Sequence, residues 1–331
     1  ISDDSLNKLN DKEWILDEHY NKEKTITQIA KEINVTKRTV LNYLSVHGIE
    51  AKRFTVSSGE KEIFDFLSQY TEVETNKRNI INPQEIDLYL PEYNLAIEYN
   101  GLYWHTEELK PKSYHLNKTL KCAEKGIQLI HVFEDEWINK PDVVKSVLLS
   151  KLGIYSKKIP ARKCTVIKQN NKEVRDFIEN NHLQGNTKAK DYYCLYFNDE
   201  LVSVASVGKS RFDKDCYELI RFCTKQNYIV NGGFSKILNR IKIDYKMLYS
   251  YTDLRYFSGN IYSNFGTFLK RTDPGYYWTD STVRITRYRT QRKNICNVLG
   301  DEYDPSLSES QNMRNAGYYK IYDCGHDLYL L

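Results

Sequence analysis

The chain has 331 residues, which predicts two or three domains, and a formal net charge of +4. Seven cysteines, an odd number without a C-x-x-C pair, argue against a disulfide framework and a zinc ribbon, so a reducing cytoplasm fits. The sequence has no apolar run of about 18 residues and no secretion pattern, which excludes a membrane partner from our expectations. The chain begins at Ile1 and not at Met, so we expect a processed or truncated product.

Charge is unevenly distributed along the chain. Residues 1–55 carry no net charge, residues 56–160 carry −3 and residues 161–331 carry +7, which together give the net +4. An acidic centre followed by a basic segment suits cation-dependent chemistry on a polyanion that is held elsewhere on the protein. The 27 tyrosines supply rings that can stack on bases or contact sugar and phosphate.

The N-terminal segment has the apolar pattern of two helices joined by a turn. Small Ala30 lets the two helices approach, Asn34 tolerates a left-handed turn conformation, and Thr36 is the expected cap of the second helix. The pattern resembles a DNA-binding helix-turn-helix whose 36–45 helix enters the major groove, and the alternative is an ordinary helical hairpin. The expected DNA contacts are Lys37, Arg38, Thr39, Asn42, Tyr43, Lys52 and Arg53.

Residues 85–100 predict a hairpin that opposes acidic side chains. If 91–94 form a four-residue turn, Leu88 pairs with Ile97, and Asp87 pairs with Glu98. Alternation puts an apolar set on one face (Ile86, Leu88, Leu90, Leu95, Ile97 and Tyr99) and a polar set on the other (Glu85, Asp87, Glu98 and Asn100). Opposed carboxylates repel unless a proton or a divalent cation lies between them, and Mg²⁺ fits oxygen ligands. The alternative is a solvated polar face.

Further candidate catalytic side chains lie at the ends of neighbouring predicted elements. They are Glu60 ahead of the hairpin, Trp104 and His105 after it, His115 and Lys118 on a helical pattern that opens at Tyr114, and Asp135 in the acidic run 134–136 after an apolar strand. Each has a structural alternative. Glu60, three residues after Ser57, also fits a capping box; the acidic run fits a solvated turn; and Trp104 fits a packing role.

This ordered set resembles the nucleases with the PD-(D/E)xK core, specifically the branch shared by very-short-patch mismatch-repair endonucleases and phage-encoded homing endonucleases. The resemblance covers residues 57–155 and runs through Glu60, Asp87, Glu98, Asn100, Gly101, Trp104, His105, His115, Lys118 and 133–137. The lysine that the family carries two residues after the strand glutamate is Asn100 here. His105 matches the histidine that transfers a proton in the mismatch-repair branch.

The resemblance implies metal-assisted hydrolysis of a phosphodiester bond, with Mg²⁺ or alternatively Mn²⁺. Asp87 with help from Glu98 would hold the metal, and His105 would act as acid or base. Glu60 and Asp135 would orient the histidine or complete the outer shell of the metal. His115 and Lys118, on one helix face, would contact the scissile phosphate, and Trp104 would lie beside DNA.

The C-terminal half predicts strands alternating with helices, including a hairpin over 193–207 and a Gly232-Gly233 turn into a helix. The order resembles the GNAT-type acyltransferase fold, although Gly232-Gly233 departs from the fuller glycine pattern of acetyl-CoA binders. A helix N-terminus can bind any phosphate, including a DNA backbone. A basic strip in 284–293 predicts phosphate contacts, with a solvated surface strand as the alternative: Arg284, Arg287, Arg289, Arg292 and Lys293.

The predicted architecture is an α/β multidomain protein. It comprises a helix-turn-helix domain at 1–55, a PD-(D/E)xK nuclease domain at 56–158 and a GNAT-like domain at 159–331 with a DNA-specificity role. The leading function is a homing-type, site-specific endonuclease on double-stranded DNA, phage-encoded and acting in the cytoplasm of a bacterial host. A double-strand break would need a homodimer or two nicks. The alternatives are a mismatch-directed nicking repair endonuclease, a DNA-modifying acyltransferase and a non-catalytic DNA-binding regulator.

Overall fold

The structure is a computed structural model that describes residues 2–22, 24, 26–49, 51, 58–211, 213 and 215–331. It is a mixed α/β protein with several sheets. Lys52 and Arg53, which we expected to contact DNA, and Ser57, the expected helix cap, lie outside the described residues.

The elements follow in chain order. The helices are Asp3–Asn10 (α1), Lys12–Leu16 (α2), Ile26–Glu32 (α3), Lys37–Val46 (α4), Ser58–Leu67 (α5), Tyr114–Ala123 (α6), Glu134–Asn139 (α7), Pro141–Lys151 (α8), Lys172–Asn181 (α9), Gly233–Asp244 (α10), Asn260–Ser263 (α11), Arg287–Thr290 (α12), Cys296–Leu299 (α13) and Glu309–Asn315 (α14). The strands are Glu74–Ile81 (β1), Gln84–Leu90 (β2), Leu95–Asn100 (β3), Gln128–Phe133 (β4), Lys157–Pro160 (β5), Thr165–Lys168 (β6), Asp191–Phe197 (β7), Glu200–Lys209 (β8), Tyr217–Thr224 (β9), Tyr228–Asn231 (β10), Leu248–Asp253 (β11), Thr267–Arg271 (β12), Tyr276–Thr279 (β13), Arg284–Thr286 (β14), Tyr319–Tyr322 (β15) and His326–Leu330 (β16).

Backbone contacts divide the chain into two units. Unit 1 comprises Ile1–His115, Phe133–Asp135 and Tyr276–Tyr322, and unit 2 comprises Leu116–Val132, Glu136–Gly275 and Asp323–Leu331. The segment 276–322 therefore groups with the N-terminal half of the chain. The sequence-based domain limits at 55 and 158 stay a prediction.

The N-terminal helices of unit 1 surround their own apolar core. Buried Leu9, Ile15, Ile29 and Leu44 belong to that core, together with residues of α3 and α4. The turn between α3 and α4 passes through Asn34 at a φ of 53°, in the left-handed region. Thr36 Oγ1 accepts the backbone N–H of Thr39 at 3.1 Å, which caps α4. The predicted turn residue and the predicted cap are both confirmed.

Unit 1 continues into an antiparallel meander of β1, β2 and β3. Leu88 pairs with Ile97 and Leu90 with Leu95, which confirms the predicted hairpin register. A 3₁₀ turn at Pro91–Tyr93, closed by Asn94 at a φ of 46°, connects the strands as predicted. The apolar face is buried at Ile86, Leu88, Leu90, Leu95 and Ile97. Strand β1 was not expected, because its residues alternate weakly between apolar and polar.

The segment 276–322 forms a small antiparallel sheet in the order β14-β13-β15. Its core contains buried Trp278, Ile295, Leu299 and Met313, which come from β13, α13, α14 and the connection ahead of α13. Strand β14 leads directly into α12, so the basic run 284–293 is part strand and part short helix.

Unit 2 is built on a sheet with the order β12-β16-β11-β9-β8-β7-β6. Strands β9 and β11 are parallel neighbours, as their connection through α10 requires, and the other neighbouring strands of this sheet are antiparallel. The β7–β8 hairpin turns through Asn198 and Asp199, whose φ values of 48° and 62° fit a two-residue primed turn. The predicted hairpin and the glycine turn into α10 are confirmed.

All seven cysteines lie in the described residues, and each is a free thiol. Within the described ranges, no helix has the length and apolar character needed to cross a membrane.

Candidate functional site

The opposed carboxylates lie at the start of the β2–β3 hairpin. Continued by one pair, the Leu88–Ile97 register sets Asp87 opposite Glu98. Asp87 is half-buried, and its Oδ2 accepts the backbone N–H of Tyr99 at 2.8 Å. Glu98 is buried. The hairpin thus fixes two carboxylates on neighbouring strands, with the backbone of β3 holding one of them.

Several acidic side chains lie near Tyr99 at the end of β3. Burial raises the pKa of its phenol well above the ordinary value, and the charges of Glu134, Glu62 and Asp135 raise it further. Helix α5 packs against this ring through Gly59, where an added Cβ would overlap it. Glu134 and Asp135, which follow β4, and Glu62 on α5 therefore lie near the Tyr99 ring at the end of β3.

Two histidines form a direct contact in unit 1. His105 Nδ1 lies 2.7 Å from His115 Nε2, and both side chains are buried. The two ring planes are nearly parallel, at 19°, and the centroids lie 4.9 Å apart, so the rings meet edge to edge through this contact. The Tyr114 ring meets His105 edge-on at 5.8 Å. Because a single proton occupies the N···N contact, each ring fixes the tautomer and orientation of the other.

The acidic run 134–136 is buried, so the solvated-turn interpretation is wrong. Glu134 Oε2 accepts the backbone N–H of Leu102 at 3.0 Å. That bond fixes the loop that starts at Gly101 and carries His105. The same loop packs through Leu102 into a buried cluster with Phe133 and Ile321.

Asp135 is paired with Arg284 of β14. Arg284 Nε lies 2.9 Å from Asp135 Oδ1, and its backbone N–H donates to Oδ2 at 3.2 Å. The guanidinium lies 4.1 Å from the Phe133 ring centroid and 5.0 Å from that of Tyr277. The Arg284 side chain is only 7% exposed, so it is not one of the surface cations of the predicted basic strip.

The histidine-bearing loop has further contacts with segment 276–322. The Glu107 backbone N–H donates to Lys320 O at 2.7 Å, and Thr106 forms a β-bridge with Ile321. The Glu107 carboxylate also pairs with Arg314 at 2.8 Å. No local pattern predicts these contacts, since the partners lie about 200 residues apart in the chain.

The other predicted catalytic residues occupy mixed environments. Glu60 is half-buried on the first turn of α5, and Asn100 is fully buried at the end of β3. Lys118 is buried on the face of α6 that also carries His115, one turn earlier. Trp104 is 50% exposed and packs edge-on against Tyr103 with centroids 4.9 Å apart, so it is not a core residue.

The donor set for a divalent cation is small. Among the residues that the structure describes, no group of three or more His, Cys, Asp or Glu side chains is arranged to hold a metal ion. Asp87 and Glu98 supply carboxylate oxygens on adjacent strands, and Mg²⁺ commonly binds one or two carboxylates with water and substrate phosphate. Asp87 and Glu98 therefore fit a Mg²⁺ ion whose remaining ligands are water and substrate phosphate. They do not fit a site in which protein groups supply every ligand.

The predicted DNA-facing residues divide by exposure. On α4, Arg38 and Asn42 are exposed, and Lys37, Thr39 and Tyr43 are half-buried. In the strip that follows β14 the exposed cations are Arg287, Arg289, Arg292 and Lys293. Tyr288, 64% exposed, lies among them.

No protein-family model matches the chain. No curated protein matches it either. A solved GNAT family acetyltransferase from Elizabethkingia anophelis, with acetyl-CoA bound, is 14% identical to this chain. The match covers 51% of this chain and 97% of that one with a TM-score of 0.27, which is too low to support an argument.

Proposed function

We propose that the protein is a Mg²⁺-dependent, site-specific DNA endonuclease whose reactive groups lie in unit 1. The observation that carries the proposal is the β2–β3 register, which opposes Asp87 and Glu98 in the same unit as the His105–His115 contact. Paired carboxylates can hold a divalent ion and a histidine can transfer a proton, and metal-assisted phosphodiester hydrolysis can use both.

Each residue has a role in this proposal. Asp87 and Glu98 would hold the ion, which would acidify a bound water and offset charge on the phosphate. His105 transfers the proton through Nε2, because its Nδ1 is engaged by His115. His115 holds that ring in place. Glu60 and Asn100 remain candidates for contacts with the phosphate or the attacking water.

Two basic surfaces would hold the DNA. Helix α4 presents Arg38 and Asn42 in the manner of a major-groove helix, with the α3–α4 turn and the Thr36 cap supporting the helix-turn-helix interpretation. The α12 strip begins three residues after Arg284, so Arg287 lies within about 10 Å of it along the backbone. Phosphate groups bound by this strip would thus lie near the acidic run and the histidine pair.

The proposal extends to the domains, the place of action and the oligomeric state. Residues 56–158 are proposed as a PD-(D/E)xK nuclease domain, and residues 159–331 as a GNAT-like domain that adds DNA contacts. The β9–α10–β11 crossover and the Gly232 turn support the latter. The proposed place of action is a bacterial cytoplasm, with phage origin. A homodimer, or two nicks in succession, would produce a double-strand break.

The test is incubation of the full chain with supercoiled and linear DNA, with Mg²⁺ or with EDTA, followed by mapping of the product ends. Discrete Mg²⁺-dependent cuts are expected, and their ends would distinguish one nick from a double break. Tight binding without cutting on every substrate, mismatched duplexes included, would contradict the proposal and favour a DNA-binding regulator.

A further inference from the structure

We propose that Arg284 is a positioning residue of the histidine pair and not a contact for DNA phosphate. This inference rests on the proposed endonuclease and adds to it a residue from segment 276–322. All the contacts involved lie within unit 1.

The first contact holds the acidic run in place. Asp135 receives both the backbone N–H and the Nε–H of Arg284, at 3.2 and 2.9 Å, so the carboxylate is bound in two directions. Both side chains are about nine-tenths buried. A buried carboxylate with its cation removed is costly, so Asp135 and Arg284 fix each other's position. The neighbouring Glu134 then stays in place for its bond to the Leu102 backbone.

The second contact reaches the histidines through an aromatic ring. The Arg284 guanidinium packs on Phe133 at 4.1 Å, and Phe133 meets the His115 ring at 5.4 Å with an angle of 61°. His115 in turn holds His105 at 2.7 Å. Phe133 is buried, so its ring has little room to move away from the guanidinium. Arg284 therefore supports both the loop that carries His105 and the ring that orients it.

Burial separates this arginine from its neighbours in the basic strip. Arg284 is 7% exposed and engaged by Asp135, whereas Arg289 on α12 is exposed. A phosphate cannot reach a guanidinium that is covered by Asp135, Phe133 and Tyr277. A planar guanidinium that both pairs and stacks is not replaced by a lysine ammonium. The strip thus contains one positioning residue followed by residues available to DNA.

The experiment compares Arg284→Lys and Arg284→Met with Arg289→Met, in single-turnover cleavage at saturating protein and in DNA-binding titrations over a range of salt. Both Arg284 variants are expected to lower the cleavage rate about 10- to 100-fold, with unchanged Kd and salt slope. Arg289→Met, which removes a proposed phosphate contact, is expected to raise Kd and reduce the salt slope by about 1. A raised Kd and reduced slope for Arg284→Lys, with a normal rate at saturation, would overturn the proposal.

A second readout does not depend on cleavage. NMR of ¹⁵N-histidine-labelled protein without DNA or metal reports the His105 and His115 ring nitrogens. The Arg284 variants are expected to change the signals of this pair while leaving those of His47 unchanged; unchanged pair signals in a folded Arg284→Lys protein would overturn the proposal. If the wild-type chain cuts no DNA, the proposed function fails, and the NMR comparison still decides whether Arg284 positions the histidines.

Discussion

His105 and His115, ten positions apart in the chain, meet through a 2.7 Å contact between Nδ1 and Nε2. The shared contact holds one proton, so the pair carries no more than one positive charge while the contact persists. The contact therefore orients the His105 ring in the folded protein before any substrate binds. A neutral or singly charged pair is suited to passing one proton to or from a phosphate oxygen or water.

The histidine pair gives the first prediction. His105→Gln is expected to lower the cleavage rate at saturation by about 10²- to 10⁴-fold, because it removes the proposed proton-transfer group. His115→Gln is expected to lower it as well, and the double variant should be little slower than His105→Gln, since the two act as a unit. His47→Gln is the control, because this histidine contacts Leu9 O in the N-terminal helices. Additive losses in the double variant would contradict the coupling.

The ion pair of Arg255 with Glu136 in unit 2 gives a prediction about stability. Arg255 is 1% exposed and lies 2.6 Å from Glu136, which also accepts from Tyr256 Oη at 2.8 Å. Arg255→Met would leave a buried carboxylate without its cation and is expected to cost about 3–5 kcal/mol in the free energy of unfolding. Urea unfolding measures this cost.

The matched control is Arg240→Met, which breaks a more exposed pair with Asp244, four residues away at the end of α10. It is expected to cost less than about 1 kcal/mol. Equal costs for the two variants would show that burial does not determine the strength of the Arg255 pair.

His182 gives a prediction about pH. Burial, followed by the charges of Arg221 and Lys140, lowers the pKa of this histidine to about 3. Its Nδ1 accepts the Gln184 backbone N–H at 3.1 Å, a bond that needs the unprotonated nitrogen. The unfolded chain binds a proton near pH 6.5 and the folded one does not, so this residue's contribution to stability is intact above that pH. The contribution is lost progressively as pH falls from about 6.5 towards 3.

The variant that tests this is His182→Asn, whose side-chain oxygen can accept the same N–H. Urea unfolding at pH 7.5, 5.5 and 4.5 should show a smaller loss of stability on acidification than in the wild type. The same loss in both proteins would contradict the assigned role of His182.

Gly59 gives a prediction about packing. A Cβ at this position would overlap the buried Tyr99 ring, so Gly59→Ala is expected to destabilise the protein by about 1–3 kcal/mol. The control is Gly101→Ala, where a Cβ would meet Trp104 Cδ1 at an ordinary 3.5 Å. Thermal unfolding of the two variants measures the difference. An unchanged unfolding midpoint for Gly59→Ala would show that α5 can shift away from β3.

Local chemistry was readable in the sequence. The left-handed turn at Asn34, the Thr36 cap and the turn that ends at Asn94 each follow from the preferences of a few consecutive residues. The hairpin register followed from alternation of apolar and polar residues, because a slip by one residue would have exposed the apolar face.

Long-range partners were not readable. In the sequence Arg284 resembles the cations that follow it, but its contacts with Asp135, 149 residues away, and with Phe133 and Tyr277 remove it from the surface. The burial of 134–136 likewise depends on contacts with distant segments, including the 276–322 partner of Asp135. The two short charged runs alone therefore could not show that Arg284 pairs with Asp135, or that the acidic run is buried and not a solvated turn.

The most direct test of the central claim compares Asp87→Asn with Glu85→Gln in cleavage of supercoiled DNA over a range of Mg²⁺ concentrations. Asn can still accept the Tyr99 N–H, and Glu85 is a matched carboxylate on the same strand, paired at 2.6 Å with exposed Arg78. We expect Asp87→Asn to bind DNA normally and to lose Mg²⁺-dependent cleavage, while Glu85→Gln cuts like the wild type. Full cleavage by Asp87→Asn would contradict the assignment of the β2–β3 carboxylates as the catalytic metal site.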